Sequence, residues 1–426
     1  MRAEIISIGT ELLVGSILNT NTQFLSQKLA ENAIDIYHHT TVGDNPERII
    51  ESLKVAASRA DLVITSGGLG PTEDDITAKC LAKFLGKPLA LHRPTYRAIV
   101  RRLKIRGHSM TRLIARQCYV PGGAAILPNE TGTAPGILCQ TNWQGQKKWV
   151  LLLPGPPREL QPMFTDGALP LLRRLARLKK EYFIVRSVKI AGLIEAQVAP
   201  RVTDLLKLKP PLTVGIYAKP GEVELKIMAK SASKEKARQM AARVEHAIKK
   251  RFKEKVYGVD AETLSSAVGA LLREKRKTLA VAESCTGGLF SNLITETPGS
   301  SAYFLGGVIA YSDKIKTALL NIDKGLIKKY GAVSAPAAKK MAQNIRALFQ
   351  SDFGIGITGI AGPTGGTAKK QVGLVYIALA DKKKMVCFKN QFFGNRGEIK
   401  SRSADRALDI LRLELLSCRS AMSGSP

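Results

Sequence analysis

Residues 278–288, which read TLAVAESCTGG, decide how the rest of the chain is interpreted. The apolar run 278–282 has the length of a buried strand, and the glycine pair at 287 and 288 is followed by apolar residues at helical spacing. Ser284 is therefore predicted to lie in a loop between a strand and a helix. Such a loop exposes a hydroxyl and points free backbone N–H groups at it, as a nucleophile and its oxyanion hole require.

The base predicted to activate Ser284 is a lysine. The five histidines of the chain are His38, His39, His92, His108 and His246. None lies from residue 258 onward, which excludes a Ser-His-Asp triad built within this region. Lys314 and Lys316 follow an apolar strand at 306–311, and we favour Lys316, with Tyr311 as a proton relay. At neutral pH this requires the lysine pKa to fall by about 3 from about 10.4, worth about 4 kcal/mol, and hence partial burial.

A second glycine-rich loop favours a ligand site over the alternative interpretation of the first loop, a turn that only caps a helix. Residues 352–358 are predicted to form another strand, which runs into GIAGPTGG. Its glycines would permit a close approach of the backbone to a ligand. Two loops of this type suggest one shared site.

These segments resemble a known family. The matching segments are AESCTGG, Gly-Ser-Ser at 299–301, the Tyr311-to-Lys316 spacing, GAVS at 331–334 and GITGIAGPTGG. They resemble the nicotinamide-nucleotide amidase domain of the CinA family (competence/damage-inducible protein A). The resemblance implies an αβα domain that hydrolyses the carboxamide of nicotinamide mononucleotide (NMN) to the acid and ammonia without a cofactor.

The resemblance also implies roles for individual residues. Ser284 would be the nucleophile, Tyr311 and Lys316 the proton-handling pair, and Ser301 a further member of the catalytic network. The implied substrate-binding residues are Glu283, Cys285, Thr286, Gly287, Gly359, Ile360, Ala361, Gly362 and Arg396. Arg396 is expected near the substrate phosphate.

Composition limits what the whole chain can be. At 426 residues it is long enough for two or three domains, and Lys plus Arg exceed Asp plus Glu by 65 − 35 = 30. That excess attracts phosphates, nucleic acid or anionic membranes without choosing between them. Six scattered cysteines without a Cys-x-x-Cys pair indicate neither a zinc site nor a disulfide framework. Without a signal peptide or a long apolar span, a cytoplasmic protein with no membrane partner is expected.

Residues 1–170 alternate predicted strands and helices, which indicates a largely parallel sheet with ligands bound beyond the carboxyl ends of its strands. The residues predicted at those ends are Thr10, Glu11, Asp44, Gly67, Gly68, Asp74 and Asp75. Glycine-loop N–H groups with carboxylates can hold phosphate and a hard cation such as magnesium. The alternative is that the acidic residues only cap a helix.

This half resembles the molybdopterin-binding fold and, more closely, the N-terminal CinA domain. The matching segments are GTELL, NTN, VGDNPER, SGGLGPTEDD, GTAPG and LLPGPPREL. The resemblance implies cleavage of the pyrophosphate of ADP-ribose with a divalent metal (magnesium or cobalt) and, optionally, potassium. Asp44, Asp74 and Asp75 would hold the metal, and Gly132 and Thr133 the phosphate. Leu113 and Ile114 replace the asparagines expected before Gln117, which would alter adenine or ribose contacts.

A composition change at 171–180 predicts the boundary to a small αβ domain, which is KH-like by resemblance. RNA binding would need a Gly-x-x-Gly clamp, and none occurs between 181 and 255, so we interpret this domain as a spacer and dimerisation module. The predicted fold is thus α/β with three domains: 1–170 molybdopterin-binding-like, 171–256 KH-like and 257–419 an αβα amidase.

Two functions follow as hypotheses. The first is a homodimeric hydrolase of NAD salvage, in the pyridine nucleotide cycle, that deamidates NMN and cleaves ADP-ribose. The second is a basic nucleotide-sensing or DNA-associated competence or repair factor with vestigial catalytic sites, supported by the net charge of +30. Nucleic acid is a partner only in the second. The eight basic residues of the acid-free run 93–116 are expected to be mostly solvated surface.

Overall fold

The computed structural model describes residues 1–32, 34–175, 181–219 and 221–417. Contacts divide the chain into two units, Met1–Ile184 with Lys230–Arg238, and Val185–Ala229 with the chain from Gln239 onward. Part of the predicted boundary segment, 176–180, lies outside the described residues. Helices alternate with strands along the chain, and the six- and five-stranded sheets contain adjacent parallel strands, which confirms the predicted α/β class.

The N-terminal region is built on a six-stranded sheet. Its strands, together with those of a separate two-stranded pair, are β1 (Arg2–Ile8), β2 (Asp35–Val42), β3 (Leu62–Ser66), β4 (Leu89–Leu91), β5 (Tyr119–Pro121), β6 (Ala125–Leu127), β7 (Gly136–Trp143) and β8 (Gln146–Leu153). The sheet order is β2-β1-β3-β8-β7-β6. Strands β2, β1, β3 and β8 are parallel to one another. Strand β7 is antiparallel to β8, and β6 is antiparallel to β7. Strand β4 pairs with β5 in the separate two-stranded sheet.

Helices cover both faces of this sheet. They are α1 (Thr10–Leu13), α2 (Thr20–Glu31), α3 (Pro46–Arg59), α4 (Thr77–Leu85), α5 (Arg93–Ile105), α6 (Arg112–Arg116), α7 (Pro157–Pro162) and α8 (Leu169–Leu175), with a π-helical turn at Met163–Ala168. Successive strand residues face opposite sides of a sheet, so Ile5 packs with Leu25 of α2 while Ile6 packs with Ile49 of α3. A parallel sheet covered on both sides must be apolar throughout, which explains the continuous apolar run 62–64.

The middle region is a four-stranded sheet with short helices. Its strands are β9 (Tyr182–Ala191), β10 (Leu212–Lys219), β11 (Glu222–Ser231) and β12 (Val256–Val259), in the order β10-β11-β9-β12. Its helices are α9 (Glu195–Val198), α10 (Thr203–Leu206) and α11 (Lys234–Phe252), with 3₁₀ turns at Ala199–Val202 and Lys253–Lys255. Strands β10 and β11 pair antiparallel, as do β9 and β12.

The C-terminal region is a five-stranded sheet between two helical layers. Its elements are α12 (Leu264–Glu274), β13 (Leu279–Glu283), α13 (Leu289–Thr295), a 3₁₀ turn (Ser300–Ala302), β14 (Phe304–Ile309), α14 (Asp313–Leu320), α15 (Lys324–Tyr330), α16 (Ala335–Phe349), β15 (Phe353–Gly359), β16 (Leu374–Ala380), β17 (Met385–Gln391) and α17 (Arg396–Ser417). The sheet order is β14-β13-β15-β16-β17, with β14, β13 and β15 parallel.

The two faces of β13 pack against different helices. Val281 contacts the core shared with α12, α13 and α17, whereas Ala280 and Ala282 contact Met341 and Ile345 of α16. The predicted αβα layering is confirmed. Because β14, β13 and β15 are adjacent and parallel, their carboxyl ends meet at one edge of the sheet.

Helix α17 is the longest of the described helices, with 22 residues, and its apolar side lies in the C-terminal core. Its sequence interleaves these apolar residues with charged ones. Among the helices of residues 1–32, 34–175, 181–219 and 221–417, none combines the length and the apolar character that crossing a membrane requires.

Candidate active site

Ser284 follows the last residue of β13 and is 7% exposed. Its backbone N–H donates to the Ile357 carbonyl of the neighbouring strand at 2.9 Å, and its carbonyl accepts from the Gly287 N–H at 3.1 Å. Gly287 and Gly288 have φ of +60° and +93°, a region that side chains with a Cβ avoid. The glycine pair therefore lets the chain turn from strand to helix with the serine fixed at the sheet edge.

The Glu283 carboxylate holds this turn in place. It is 1% exposed and accepts hydrogen bonds from the N–H groups of Gly288, Phe290 and Ser291 at 2.9–3.1 Å, and from the Ser291 hydroxyl at 2.7 Å. A carboxylate at the N-terminus of α13 also complements the helix dipole. Although the family resemblance implies a substrate contact, both Glu283 oxygens are engaged by the protein itself.

Lys316 lies on α14 and is 2% exposed. Its Nζ donates to the Tyr311 main-chain carbonyl at 2.9 Å and lies 3.7 Å from Oδ1 of Asp313, whose side chain is 61% exposed. Burial lowers the pKa of the Lys316 amine from its ordinary value, and this outweighs the opposing attraction of Asp313. The position meets the burial requirement that the sequence set for a lysine base.

Ser284 and Lys316 line one cavity of about 170 Å³ at the carboxyl ends of the parallel strands. Its other lining residues are Cys285, Tyr311, Asp313, Ala332, Val333, Thr358, Gly359, Ala361 and Arg396. The small volume suits a single planar group such as a carboxamide and its neighbouring atoms. The cavity thus brings together a hydroxyl, a desolvated amine and an arginine.

Cys285 is the other nucleophile that the loop presents. It is 5% exposed, and burial raises the pKa of its thiol to about 12, although the N–H groups of Cys285 and Thr286 oppose this shift. The reactive form of cysteine is the thiolate, which is therefore scarce at neutral pH. Of the two neighbours, Ser284 is the better candidate nucleophile.

Arg396 and Tyr311 form a pair at the cavity mouth. The Arg396 guanidinium donates to the Gly362 carbonyl at 2.6 Å and to the Tyr311 hydroxyl at 3.1 Å. Tyr311 is 59% exposed, and the group that contacts Lys316 is its carbonyl rather than its hydroxyl. The pair therefore suits recognition of an anionic substrate group better than proton relay to the lysine.

The glycines of the second loop are needed for packing. A Cβ on Gly359 would lie 2.6 Å from the Val375 side chain, and a Cβ on Gly362 would lie 2.5 Å from Val372. The main chain of Ile360 pairs with Leu374 and Gly373. These glycines thus permit close packing on β16 and the residues before it. Gly359 also lines the cavity, and close approach of its backbone to a ligand stays a prediction.

Not every predicted residue reaches the cavity. Cys285, Gly359, Ala361 and Arg396 line it, whereas its lining does not include Glu283, Thr286, Gly287, Ile360 or Gly362. Thr286 is fully buried, and its hydroxyl has no partner within the described residues. Contact of these five residues with a substrate stays a prediction of the family resemblance.

Ser301 lies away from this group. It is exposed in the 3₁₀ turn before β14, and Phe304 of β14 pairs with Leu279 at the amino end of β13. Ser284 follows the opposite end of β13, so the length of the strand, about 16 Å at 3.3 Å per residue, separates the two serines. The structure therefore does not bring Ser301 into the catalytic group that the resemblance implied.

Several cavity residues had no predicted role. Thr358 was predicted only as part of a strand, and Asp313, Ala332 and Val333 were not singled out. Ala332 and Val333 do belong to the GAVS segment at 331–334, which matches the family pattern. No local signal identifies them as cavity walls, because their position depends on how α15 and α16 pack.

The N-terminal region has a larger cavity, about 640 Å³, at the carboxyl ends of β1 and β3. The predicted residues that line it are Glu11, Asp44, Gly67, Gly68, Asp74, Asp75 and Thr133, whereas Thr10 and Gly132 do not. A Cβ on Gly67 would lie 2.2 Å from the Ile8 carbonyl, and one on Gly68 2.1 Å from the Thr77 hydroxyl. The expected convergence of strand ends on one crevice is present.

Two of the three predicted metal-binding carboxylates are engaged by loop groups. Asp44 accepts from the N–H and the hydroxyl of Thr10, both at 2.9 Å. Asp75 accepts from the N–H groups of Gly70 and Thr72 and from the Thr72 hydroxyl at 2.6–2.8 Å. Within the described part of the chain, no three His, Cys, Asp or Glu side chains are grouped to hold a metal ion. Metal binding by Asp44, Asp74 and Asp75 stays a prediction of the family resemblance.

Two amide side chains that line this cavity each have an unpaired oxygen. Asn21 donates to the Ser66 hydroxyl and the Gly155 carbonyl, and Gln117 donates to the Leu69 carbonyl. The side-chain oxygens of both amides are buried and have no partner among the described residues. Buried acceptors are normally hydrogen-bonded. These two oxygens are closed off from the cavity, so a ligand would reach them only if the amides moved.

The structure sorts the basic run 93–116 into two groups. Arg102 donates to the carbonyls of Asn129 and Gly132, Arg106 donates to Thr131, and Arg116 pairs with Glu73. The remaining five are exposed: Arg93, Arg97, Arg101, Lys104 and Arg112. Part of the run thus holds the GTAPG loop, and nucleic-acid binding by the rest stays a prediction.

Three family descriptions match the chain in order. "Probable molybdopterin binding domain" matches residues 4–174, "Damage-inducible protein CinA KH domain" matches 185–258, and "CinA C-terminal domain" matches 261–415. The N-terminal and middle regions thus have the molybdopterin-binding and KH-like folds that were predicted. The boundaries at 170 and 256 stay a prediction.

Proteins named "CinA-like protein" from three organisms match nearly the whole chain. That of Dictyoglomus thermophilum is 42% identical over 98% of this chain and 100% of its own length. Those of Kosmotoga olearia and Nostoc punctiforme are 44% and 45% identical, again over 98% of this chain, and over 99% and 100% of their own lengths. The chain belongs to the CinA family, which confirms the predicted family.

Proposed function

We propose that the C-terminal cavity hydrolyses the carboxamide of nicotinamide mononucleotide to the carboxylate and ammonia. The observation that carries the proposal is the burial of Lys316, with its lowered pKa, in the cavity that also holds Ser284. A desolvated amine is a competent general base near neutral pH, and the described residues of this region contain no histidine to replace it.

The reaction has two halves, formation and hydrolysis of an ester to Ser284, and each half needs two proton transfers. Ser284 Oγ attacks the carboxamide carbon while the neutral Lys316 amine accepts its proton. The resulting ammonium gives that proton to the leaving nitrogen, so ammonia departs and an ester to Ser284 remains. Water then attacks the ester, with Lys316 again taking and returning the proton, and the acid is released.

Loop N–H groups would stabilise the oxyanion formed at each attack. Those of Cys285 and Thr286 donate to no backbone carbonyl among the described residues. Donors fixed in this way lower the barrier because they need no reorganisation during the reaction. Arg396 at the cavity mouth supplies a fixed cation for the substrate phosphate.

The test is release of ammonia from NMN by the purified chain, with the products identified by mass. Ser284→Ala should reduce the rate at least about 10³-fold, because no covalent step remains. Ser301→Ala is the matched control and should stay within about twofold, since Ser301 lies at the opposite edge of the sheet. Full activity in Ser284→Ala would refute the proposal.

A second function is proposed for the N-terminal cavity, binding of a nucleotide of the ADP-ribose type. The cavity of about 640 Å³ supports this proposal because it lies at the ends of parallel strands, where such folds bind ligands, and its lining includes Asn21, Gln117 and three aspartates. Pyrophosphate cleavage with a divalent metal stays a prediction of the family resemblance. The same product analysis with ADP-ribose, with and without magnesium, tests it, and Ser284→Ala should leave any such cleavage intact.

A further inference from the structure

One wall of the C-terminal cavity is a short loop with no catalytic group. Ala332 and Val333 line the cavity from the connection between α15 and α16. Their contribution is therefore shape, which depends on where the main chain of this loop is held.

Two contacts hold the loop from the sheet and the next helix. The buried Thr358 hydroxyl donates to the Ala332 carbonyl at 2.9 Å. The Ser334 hydroxyl donates to the Gly331 carbonyl at 2.8 Å and caps α16 by accepting from the Ala337 N–H. These contacts fix the middle and the far end of the loop.

A lysine from a separate segment bridges the loop. Lys370 Nζ donates to the Tyr330 carbonyl at 2.8 Å and to the Val333 carbonyl at 2.7 Å. The first carbonyl also ends α15, where a cation complements the helix dipole. Among the described residues the ammonium has no carboxylate within ion-pair distance, so its position is set by these carbonyls.

The surroundings of Lys370 are built for this contact. A turn holds its backbone, with the Thr367 N–H donating to the Lys370 carbonyl at 2.8 Å and the Lys370 N–H donating back to the Thr367 carbonyl at 3.1 Å. Gly331 has a φ of +80°, and a Cβ there would lie 2.7 Å from Lys370 Nζ. Glycine at 331 therefore leaves the space that the ammonium occupies.

We propose that Lys370 is a positioning residue for amide hydrolysis, whose ammonium fixes the Ala332–Val333 wall and so limits the size of the group that enters the cavity. This rests on the function proposed above. A charged hydrogen-bond donor shared by two carbonyls holds the main chain more firmly than neutral contacts do. Small displacements of a cavity wall are costly, since about 1 Å of misplacement can change a rate about 10²-fold.

The test compares Lys370→Met with Lys369→Met, in which an exposed neighbouring lysine is replaced by the same residue. Each variant of the full chain is assayed with NMN and with its N-methyl carboxamide. Lys370→Met should lower kcat/KM for NMN about 10- to 100-fold, mainly through KM, and should reduce the preference for NMN over the methylated amide. Lys369→Met should match the wild type, and Lys370→Arg, which keeps the cation, should recover part of the preference.

The preference is a ratio of two kcat/KM values and does not depend on how much of the protein is folded. An unchanged ratio in Lys370→Met overturns the inference, whatever its thermal stability. This failure differs from failure of the proposed function, which would appear as activity persisting in Ser284→Ala. A ratio that falls equally in Lys369→Met would also overturn the inference, because it would reflect lost surface charge.

Discussion

The two cavities of this chain are built alike and equipped differently. Each lies where neighbouring parallel strands end, beside a loop that contains a glycine pair: Gly67-Gly68 in one case and Gly287-Gly288 in the other. The C-terminal cavity, about 170 Å³, is lined by the buried Lys316, which supplies an amine, and by Ser284, which supplies a hydroxyl. The N-terminal cavity, about 640 Å³, is lined by the amides Asn21 and Gln117 and by carboxylates, of which Asp44 and Asp75 accept from loop groups. Only the first cavity thus pairs a candidate base with a candidate nucleophile among the residues singled out here.

The difference teaches how to interpret an acid next to a glycine loop. Glu283 and Asp75 both follow or precede glycines, and both accept several hydrogen bonds from nearby backbone N–H groups. Glycine loops leave such N–H groups without strand or helix partners, and a carboxylate is the strongest acceptor available. In both cavities the acid helps to hold the loop, and substrate binding by Glu283 and metal binding by Asp75 stay predictions.

The largest expected effect separates the two cavities through the amine. Lys316→Met should lower NMN hydrolysis about 10³-fold, within the range for loss of a general base, while ADP-ribose binding stays unchanged. Because burial disfavours the charged amine, the substitution should not lower the free energy of unfolding. Lys314→Met, an exposed lysine on the same helix, is the control. Equal losses in both variants would contradict a specific role for Lys316.

The next effect is on the pH dependence of the amidase. Burial lowers the pKa of Lys316, so its reactive neutral form accumulates as pH rises through that lowered value. The kcat/KM for NMN should therefore increase up to tenfold per pH unit and level off below pH 10.5, the ordinary pKa of lysine. Asp313, Cys285 and Tyr311 act against this shift without reversing it. A profile that rises only near pH 10.5 would mean that the amine is solvated during catalysis.

The smallest expected effect concerns the N-terminal carboxylates. Asp75→Ala removes three hydrogen bonds that the carboxylate accepts. The free energy of opening that hydrogen exchange measures for amides 67–76 should therefore fall by about 2 kcal/mol. Asp74→Ala should leave the protection unchanged, since Asp74 is exposed and has no hydrogen bond or ion pair among the described residues. Titration calorimetry then measures the affinity of both variants for ADP-ribose, with and without magnesium. Equal losses of affinity in both variants, seen only with magnesium, would show that the pair binds metal.

Sequence reasoning succeeded where the signal was local. The strand-loop-helix frame around Ser284 follows from an apolar run, a glycine pair and helical spacing, all within a few residues. The absence of histidine left lysine as the candidate base, and the structure places Lys316 in the cavity with the serine. Family recognition was equally direct because the matching segments extend over the whole chain.

It failed where the answer depends on strand register or on atoms distant in sequence. Ser301 is 17 residues from Ser284 in the chain, yet β13 separates them because the turn precedes β14 at its amino end. Gly359 lines the cavity, but a Cβ there would meet the Val375 side chain of the neighbouring strand, a contact that the local sequence does not reveal. Lys370 gives no signal at all, since its two acceptors are main-chain carbonyls about 40 residues earlier.

The amino-acid order by itself settled which chemical groups are available: a serine in a glycine turn, lysines without histidines, and an α/β alternation that puts loops at strand ends. Tertiary structure decided which of these groups are desolvated and which are already bonded. Burial of Lys316 and the pairing of Asp44 with the Thr10 N–H arise from packing between segments far apart in the chain. Glu283 and Asp75, in contrast, accept from N–H groups three to eight residues away. Local patterns do not encode those distances, because solvent exclusion is a property of the assembled layers.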